Sequence, residues 1–182
     1  MPSVDVATTS SQPLQLAYET FGQPDDRPLV LIAGFGVQLL WWERGWCERL
    51  AAGGRYVIRF DNRDIGLSTI VSGDVDARAV LGASLRGEQL PPVPYTLSDL
   101  AADVVGLLDA LGIAAADIVG ASMGGMIAQT VAIEHPERVT ALVSIMSSPG
   151  DPLVGKPYIQ GQQRRSWGID GWTWEQWAPI VS

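Results

Sequence analysis

The 182-residue chain has one cysteine, Cys47, and one histidine, His135. A lone cysteine excludes an internal disulfide, and together they cannot build the usual zinc sites, whose ligands come mainly from several Cys and His side chains. No acidic cluster has the spacing of a calcium loop, so no metal and no other cofactor is expected. Positive charge is scarce as well: the net charge is −8, and the basic residues cluster no further than the pair Arg164-Arg165. That balance offers no footprint for nucleic acid and repels an anionic membrane. The longest apolar runs, such as residues 29–33, fall far short of the ~20 residues a membrane-crossing helix needs. Residues 1–9 lack the basic start and apolar core of a secretory signal, so the expected location is the cytoplasm. The partner these absences leave is a small neutral or apolar substrate.

What is present is an apolar fraction of 47%, enough for the core of one domain. Leu14, Leu16 and Tyr18 alternate with Gln15, Ala17 and Glu19, the period-two pattern of an early antiparallel strand. Residues 29–33, 56–60, 118–119 and 139–145 are short apolar runs rich in Val and Ile, as in strands covered on both faces. Between them Leu97, Leu100, Ala101, Val104, Leu107, Leu108 and Leu111 recur at three- and four-residue steps, predicting a helix with one apolar stripe. Thr96 with Asp99 has the form of a capping box, and Gly112 stands where a C-terminal cap belongs. A second helix is expected from Met123 to Glu134, ended by His135-Pro136. Strands alternating with helices make the class α/β with a parallel central sheet. Residues 71–95 read as a loop with one short helix. Trp41, Trp42 and Trp46 are assigned to the core face of a helix, with Cys47 inert beside them.

The chemistry centres on Gly120-Ala121-Ser122-Met123-Gly124. A tight strand-to-helix turn strains the serine backbone and leaves no room for neighbouring side chains, which is why glycines at Gly120 and Gly124 suit it. Residues 117–119 supply the strand and Met123 onward the helix, whose free N–H groups and dipole point toward Ser122. The Met123 N–H is therefore one candidate oxyanion donor. The loop Ala33-Gly34-Phe35-Gly36 follows an earlier strand, and its Phe35 N–H is the second, with Gly34 and Gly36 shaping the loop.

Three segments carry a family resemblance: Leu31-Ile32-Ala33-Gly34-Phe35-Gly36, Phe60-Asp61-Asn62-Arg63-Asp64-Ile65-Gly66-Leu67-Ser68, and Gly120-Ala121-Ser122-Met123-Gly124-Gly125. Together they resemble the α/β-hydrolase superfamily, in its esterase and haloperoxidase-like branch, and are similar to aclacinomycin methylesterase-like proteins. The likeness runs from about Leu14 to Ser148, departing from the usual His-Gly of the first motif by having Ala33 before Gly34. It implies a mostly parallel sheet with helices on both faces and ester hydrolysis through an acyl-enzyme at Ser122. It also implies that the segment from Asp61 to Ser68 organises the backbone near the pocket.

A serine hydroxyl needs a base, and in this fold the order is serine, acid, histidine. His135 sits at the far end of the helix that starts beside Ser122, so it is read as a helix-terminal residue and not as the base. Asp151 is a weak candidate for the acid and reads better as a turn residue. The expectation is an N-terminal part of the hydrolase core over residues 1–148, with the C-terminal strands missing. Residues 149–182 would be the start of a cap or a divergent tail, where Trp167, Trp172, Trp174 and Trp177 either line a pocket or promote association. The unfinished sheet edge invites self-association. Two other readings stay open: a non-catalytic fragment or ligand-binding remnant, and a dinucleotide-binding protein built on Gly34, Gly36 and Asp61, with Leu39 where the third glycine would stand.

Overall fold

The computed structural model describes residues 1–6, 13–71, 73, 76, 79–80, 83, 88–89 and 91–149. Asp151 and the four tryptophans between Trp167 and Trp177 lie outside the described residues.

Six strands form one sheet: β1 (Ser3–Val6), β2 (Leu14–Phe21), β3 (Arg27–Ile32), β4 (Arg55–Phe60), β5 (Ala116–Ala121) and β6 (Val139–Ile145), in the order β1-β2-β4-β3-β5-β6. β1 pairs with β2 and β2 with β4 antiparallel, while β4-β3-β5-β6 run parallel. The β2 alternation and the later apolar runs thus become strands as expected, and β1 is an addition that its sequence did not signal.

The parallel strands are apolar on consecutive residues because each feeds two cores. On β3, Val30 and Ile32 face one side, where they pack with Ile58, Phe60 and Ile118 against α2 (Leu97–Ala110) and α3 (Met123–Glu134). Leu29 and Leu31 face the other, with Val57, Ala121, Trp42 and Cys47 under α1 (Arg44–Ala52). Helix α2 begins at the expected capping box: the Asp99 N–H donates to the Thr96 hydroxyl, and the Thr96 N–H donates to the Asp99 carboxylate at 2.8 Å. Gly112, at φ 69°, takes the left-handed turn that follows the helix.

The helix expected to carry three indoles forms differently. Residues Leu39–Trp41 make a short 3-10 turn and α1 starts only at Arg44. Trp42 is buried, Trp46 stacks on it with centroids 5.2 Å apart, and Trp41 stands edge-on to Trp42 at 4.8 Å, 47% exposed. The four-residue step from Trp42 to Trp46 matches a helical period, but Glu43 and the turn before it break the helix between the first two indoles and the third.

At the N-terminal edge of the parallel strands one carboxylate joins neighbours on both sides. Asp117 of β5 accepts from Arg27 of β3 at 2.6 Å, Arg55 of β4 at 2.7 Å and the Thr140 hydroxyl of β6 at 2.6 Å. Burial works to raise the Asp117 pKa; the Thr140 hydrogen bond and the two guanidinium groups outweigh it and hold the carboxyl below its ordinary range. β6 is last in the strand order, with Leu142 and Val143 exposed. Among the described residues no helix is long and apolar enough to cross a membrane.

Candidate active site

β5 ends at Ala121 and α3 begins at Met123, so the chain turns on Ser122 alone. Its backbone lies at φ 55°, ψ −121°, outside even the left-handed helical region that some non-glycine residues tolerate. The turn closes because its neighbours carry no side chains. A Cβ on Gly120 would overlap the Gly124 carbonyl oxygen and lie 2.7 Å from the Gly125 nitrogen. One on Gly124 would overlap the Ile32 carbonyl oxygen and reach the Ala33 carbonyl oxygen at 2.6 Å. The strained serine is pinned through its backbone, its N–H donating to the Ile145 carbonyl at 2.8 Å and its carbonyl accepting from Gly125 at 2.9 Å. Its hydroxyl makes no cap bond to the helix it precedes, and the residue is exposed. Met123 opens the helix, and the first N–H groups of a helix have no partner inside it.

The loop after β3 lies against this turn. A Cβ on Gly34 would come within 3.3 Å of both the Ala121 carbonyl oxygen and the Ser122 Cβ, so only glycine lets the loop come this close without strain. Gly36 takes a positive φ of 71°, and no described hydrogen bond occupies the Phe35 N–H. Both ends of the loop are tied to residues that follow β4. Asn62 Nδ2 donates to the Ala33 carbonyl at 3.2 Å, and the Leu39 N–H donates to Asp61 Oδ1 at 2.7 Å. The other Asp61 oxygen accepts from the Leu67 N–H at 3.0 Å, so one buried aspartate links two loops.

Arg63 is buried beyond them, paired twice with Asp103 of α2 at 2.6 and 2.7 Å. Burial opposes the Arg63 charge, but the hydrogen bonds and charge of Asp103 more than offset it and raise its pKa. The guanidinium lies 5.0 Å from the Tyr95 ring centre, and the Tyr95 hydroxyl donates to Asp64 at 2.6 Å. Burial and that bond push the Tyr95 pKa up to about 12, which keeps the phenol a proton donor. Asp103 escaped the sequence reading although it left a signal. It stands three residues after Leu100 and four before Leu107, on the buried stripe, where a lone carboxylate requires a cation.

Above Ser122 opens a cleft of about 200 Å³ lined by Gly34, Phe35, Val37, Trp41, Ala121 and Met146. The structure thus gathers Ser122, Met123, Phe35 and all four glycines into one place. It does not bring His135 there: His135 caps the far end of α3, whose 12 residues at ~1.5 Å each span about 18 Å. The Gly34 loop also runs into the 3-10 turn, with α1 starting ten residues later, so no helix N-terminus opens at that loop as pyrophosphate binding requires.

A family model for the alpha/beta hydrolase fold matches residues 27–174. The chain is 34% identical over 152 residues to rhodomycin D methylesterase of Streptomyces sp. (strain C5), covering 79% of this chain and 45% of that protein. It is 31% identical over 138 residues to 3-oxoadipate enol-lactonase 2 of Acinetobacter baylyi, with 75% and 43% covered. Among solved structures, a hydrolase from Pseudomonas aeruginosa superimposes with a TM-score of 0.59 at 30% identity, covering 79% of this chain and 46% of that one. A carboxylesterase of Nitrososphaera gargenis gives 0.61 at 29%, with the same coverage. The chain spans about half the length of the curated relatives it matches.

Proposed function

Because the chain belongs to the alpha/beta hydrolase fold family, we propose that its Ser122 cleft is the acyl-transfer site of a carboxylic ester hydrolase. The observation that carries this reading is the Ser122 backbone, held at φ 55° with an exposed hydroxyl that makes no cap bond, between two glycines that admit no side chain. Strain of this kind persists only where surrounding structure enforces it, and here it presents a nucleophile at a helix N-terminus.

In the proposed reaction the Ser122 hydroxyl oxygen attacks the ester carbonyl carbon while its proton passes to a base. The carbonyl oxygen becomes an oxyanion that accepts from the Met123 and Phe35 N–H groups. Collapse expels the alcohol, which takes up the proton, and water then cleaves the acyl-serine by the same steps in reverse. A methylesterase and a lactonase among the relatives, both acting on carboxylic esters by name, support this substrate class.

The described residues that line the cleft include no base, and His135 stands at the far end of α3. That observation favours a second reading, in which the chain binds ester-like ligands without turning them over. A fluorophosphonate probe with mass mapping of the adduct separates the two. Nucleophile chemistry predicts labelling at Ser122, faster than for the urea-unfolded chain and abolished in Ser122→Ala. Equal rates for folded and unfolded protein would leave only the binding reading.

A further inference from the structure

We infer that Trp41 is the specificity-determining wall of the Ser122 cleft and selects esters that carry a flat, uncharged aromatic ring. The inference rests on reading this cleft as the place where an ester docks, and it adds the chemistry of the group beside the scissile bond.

Trp41 is an unusual tryptophan for a folded core. It is 47% exposed, lines the cleft beside Ser122, and stands at the end of a short ladder of indoles. Trp42, buried beneath it, meets it edge-on at an interplanar angle of 78° and stacks on Trp46 at 20°. The first ring therefore rests edge-on against a buried indole that is itself stacked on a third, so one side of it is supported before a ligand arrives. Preorganised aromatic surface of this sort contributes binding at low entropic cost.

The rest of the lining agrees. Phe35 is 84% exposed, and Val37, Ala121 and Met146 line the cleft with it, so among the described residues no lining side chain carries a formal charge. Asp61 and Arg63, on the segment that follows β4, are buried and committed to Leu39, Leu67 and Asp103. The donors left over are the Met123 and Phe35 backbone N–H groups beside Ser122, suited to a carbonyl oxygen. An apolar ring against Trp41 with a carbonyl toward Ser122 matches both halves of the cleft. A ligand bearing a carboxylate where the ring carries its ester would need to shed its hydration against apolar walls.

The test uses the full chain and an unreactive ester mimic, 2-acetonaphthone, titrated by the chemical shifts of the Gly34 and Val37 backbone N–H groups, which line the cleft in every variant. Binding is expected to weaken about five- to tenfold in Trp41→Ala, and less than about twofold in Trp41→Phe, which keeps an aromatic face. The same series with 2-naphthoate should bind at least about tenfold more weakly than the ketone. Unchanged affinity in Trp41→Ala, equal affinity for the naphthoate, or no saturable shift with the ketone would each overturn the inference. Fluorophosphonate labelling reports separately on Ser122: an unlabelled chain that still binds the ketone through Trp41 would refute the hydrolase reading alone, and a labelled chain indifferent to Trp41 would refute this one alone.

Discussion

The two ends of the parallel strands β4-β3-β5-β6 are built on opposite rules. At the N-terminal edge, Arg27, Arg55 and Thr140 converge on Asp117, and a carboxylate with three donors has little left to offer a ligand. At the C-terminal edge the chain breaks local preferences. Among the described residues, the three non-glycine positions with positive φ are Asp64, Ser122 and Met146, following β4, β5 and β6 in turn. Exposed aromatic surface from Phe35 and Trp41 gathers at the same edge. A closed polar network fixes register, and strain and unpaired surface accumulate where the fold can use them.

The largest break of this contrast is Gly120→Ala. The new methyl group would meet backbone at Gly124 and Gly125, which cannot swing aside as a side chain would. Overpacking against fixed backbone is expected to cost about 3 kcal/mol or more, read from the midpoint of urea unfolding. The same variant should lose fluorophosphonate labelling even where it stays folded, because the turn that presents Ser122 has to open. Near-native stability together with native labelling would show that the elbow has room for a side chain at Gly120.

How much of this contrast was legible beforehand depends on the kind of signal each element leaves. The strands and α2 were readable because burial on both faces imposes continuous apolar runs and burial on one imposes a stripe. The elbow was readable because glycine is the only residue that admits Cα this close to another backbone, so Gly120 and Gly124 mark it in sequence. The Asp117 clasp was not, since its four residues come from four strands and only the register brings them together. The place of Trp41 was not legible, because a few indoles at one- and four-residue steps fit a helix or chance equally, and the 3-10 turn at Leu39–Trp41 has no strong marker. Arg63 with Asp103 lay between these cases, half signalled by the aspartate on an apolar stripe.

The opposite edge should fail more gently and in a pH-dependent way. Asp117→Ala removes one acceptor from three donors; Arg27 is half exposed and screened, so the expected loss is about 2 kcal/mol at neutral pH. The sign follows from the depressed pKa. The folded state binds the Asp117 proton more weakly than the unfolded chain, whose carboxyl titrates near about 3.9. The contribution is therefore complete above that value and disappears as pH falls through the lower folded-state pKa. The stability gap between parent and Asp117→Ala should be flat from about pH 5 to about pH 8 and shrink below about pH 4. A gap that persists undiminished well below that would mean the clasp acts through packing and not through charge.

The smallest effect has the opposite sign and sharpens the contrast most. Ser122 is held at φ 55°, ψ −121°, a conformation that costs an L-residue roughly 1–3 kcal/mol and that glycine adopts freely. Ser122→Gly removes that strain, while the extra freedom of glycine in the unfolded chain returns roughly 0.5–1 kcal/mol of it. The exposed hydroxyl contributes no cap bond whose loss would count against the change. The variant should therefore be more stable than the parent by about 1 kcal/mol, with an unchanged denaturant slope and no labelling by fluorophosphonate. Strain stored at a reactive position gives this pairing of higher stability with lost reactivity. If Ser122→Gly proves less stable than Ser122→Ala, the backbone at the elbow is relaxed, and the C-terminal edge differs from the N-terminal one in exposure alone.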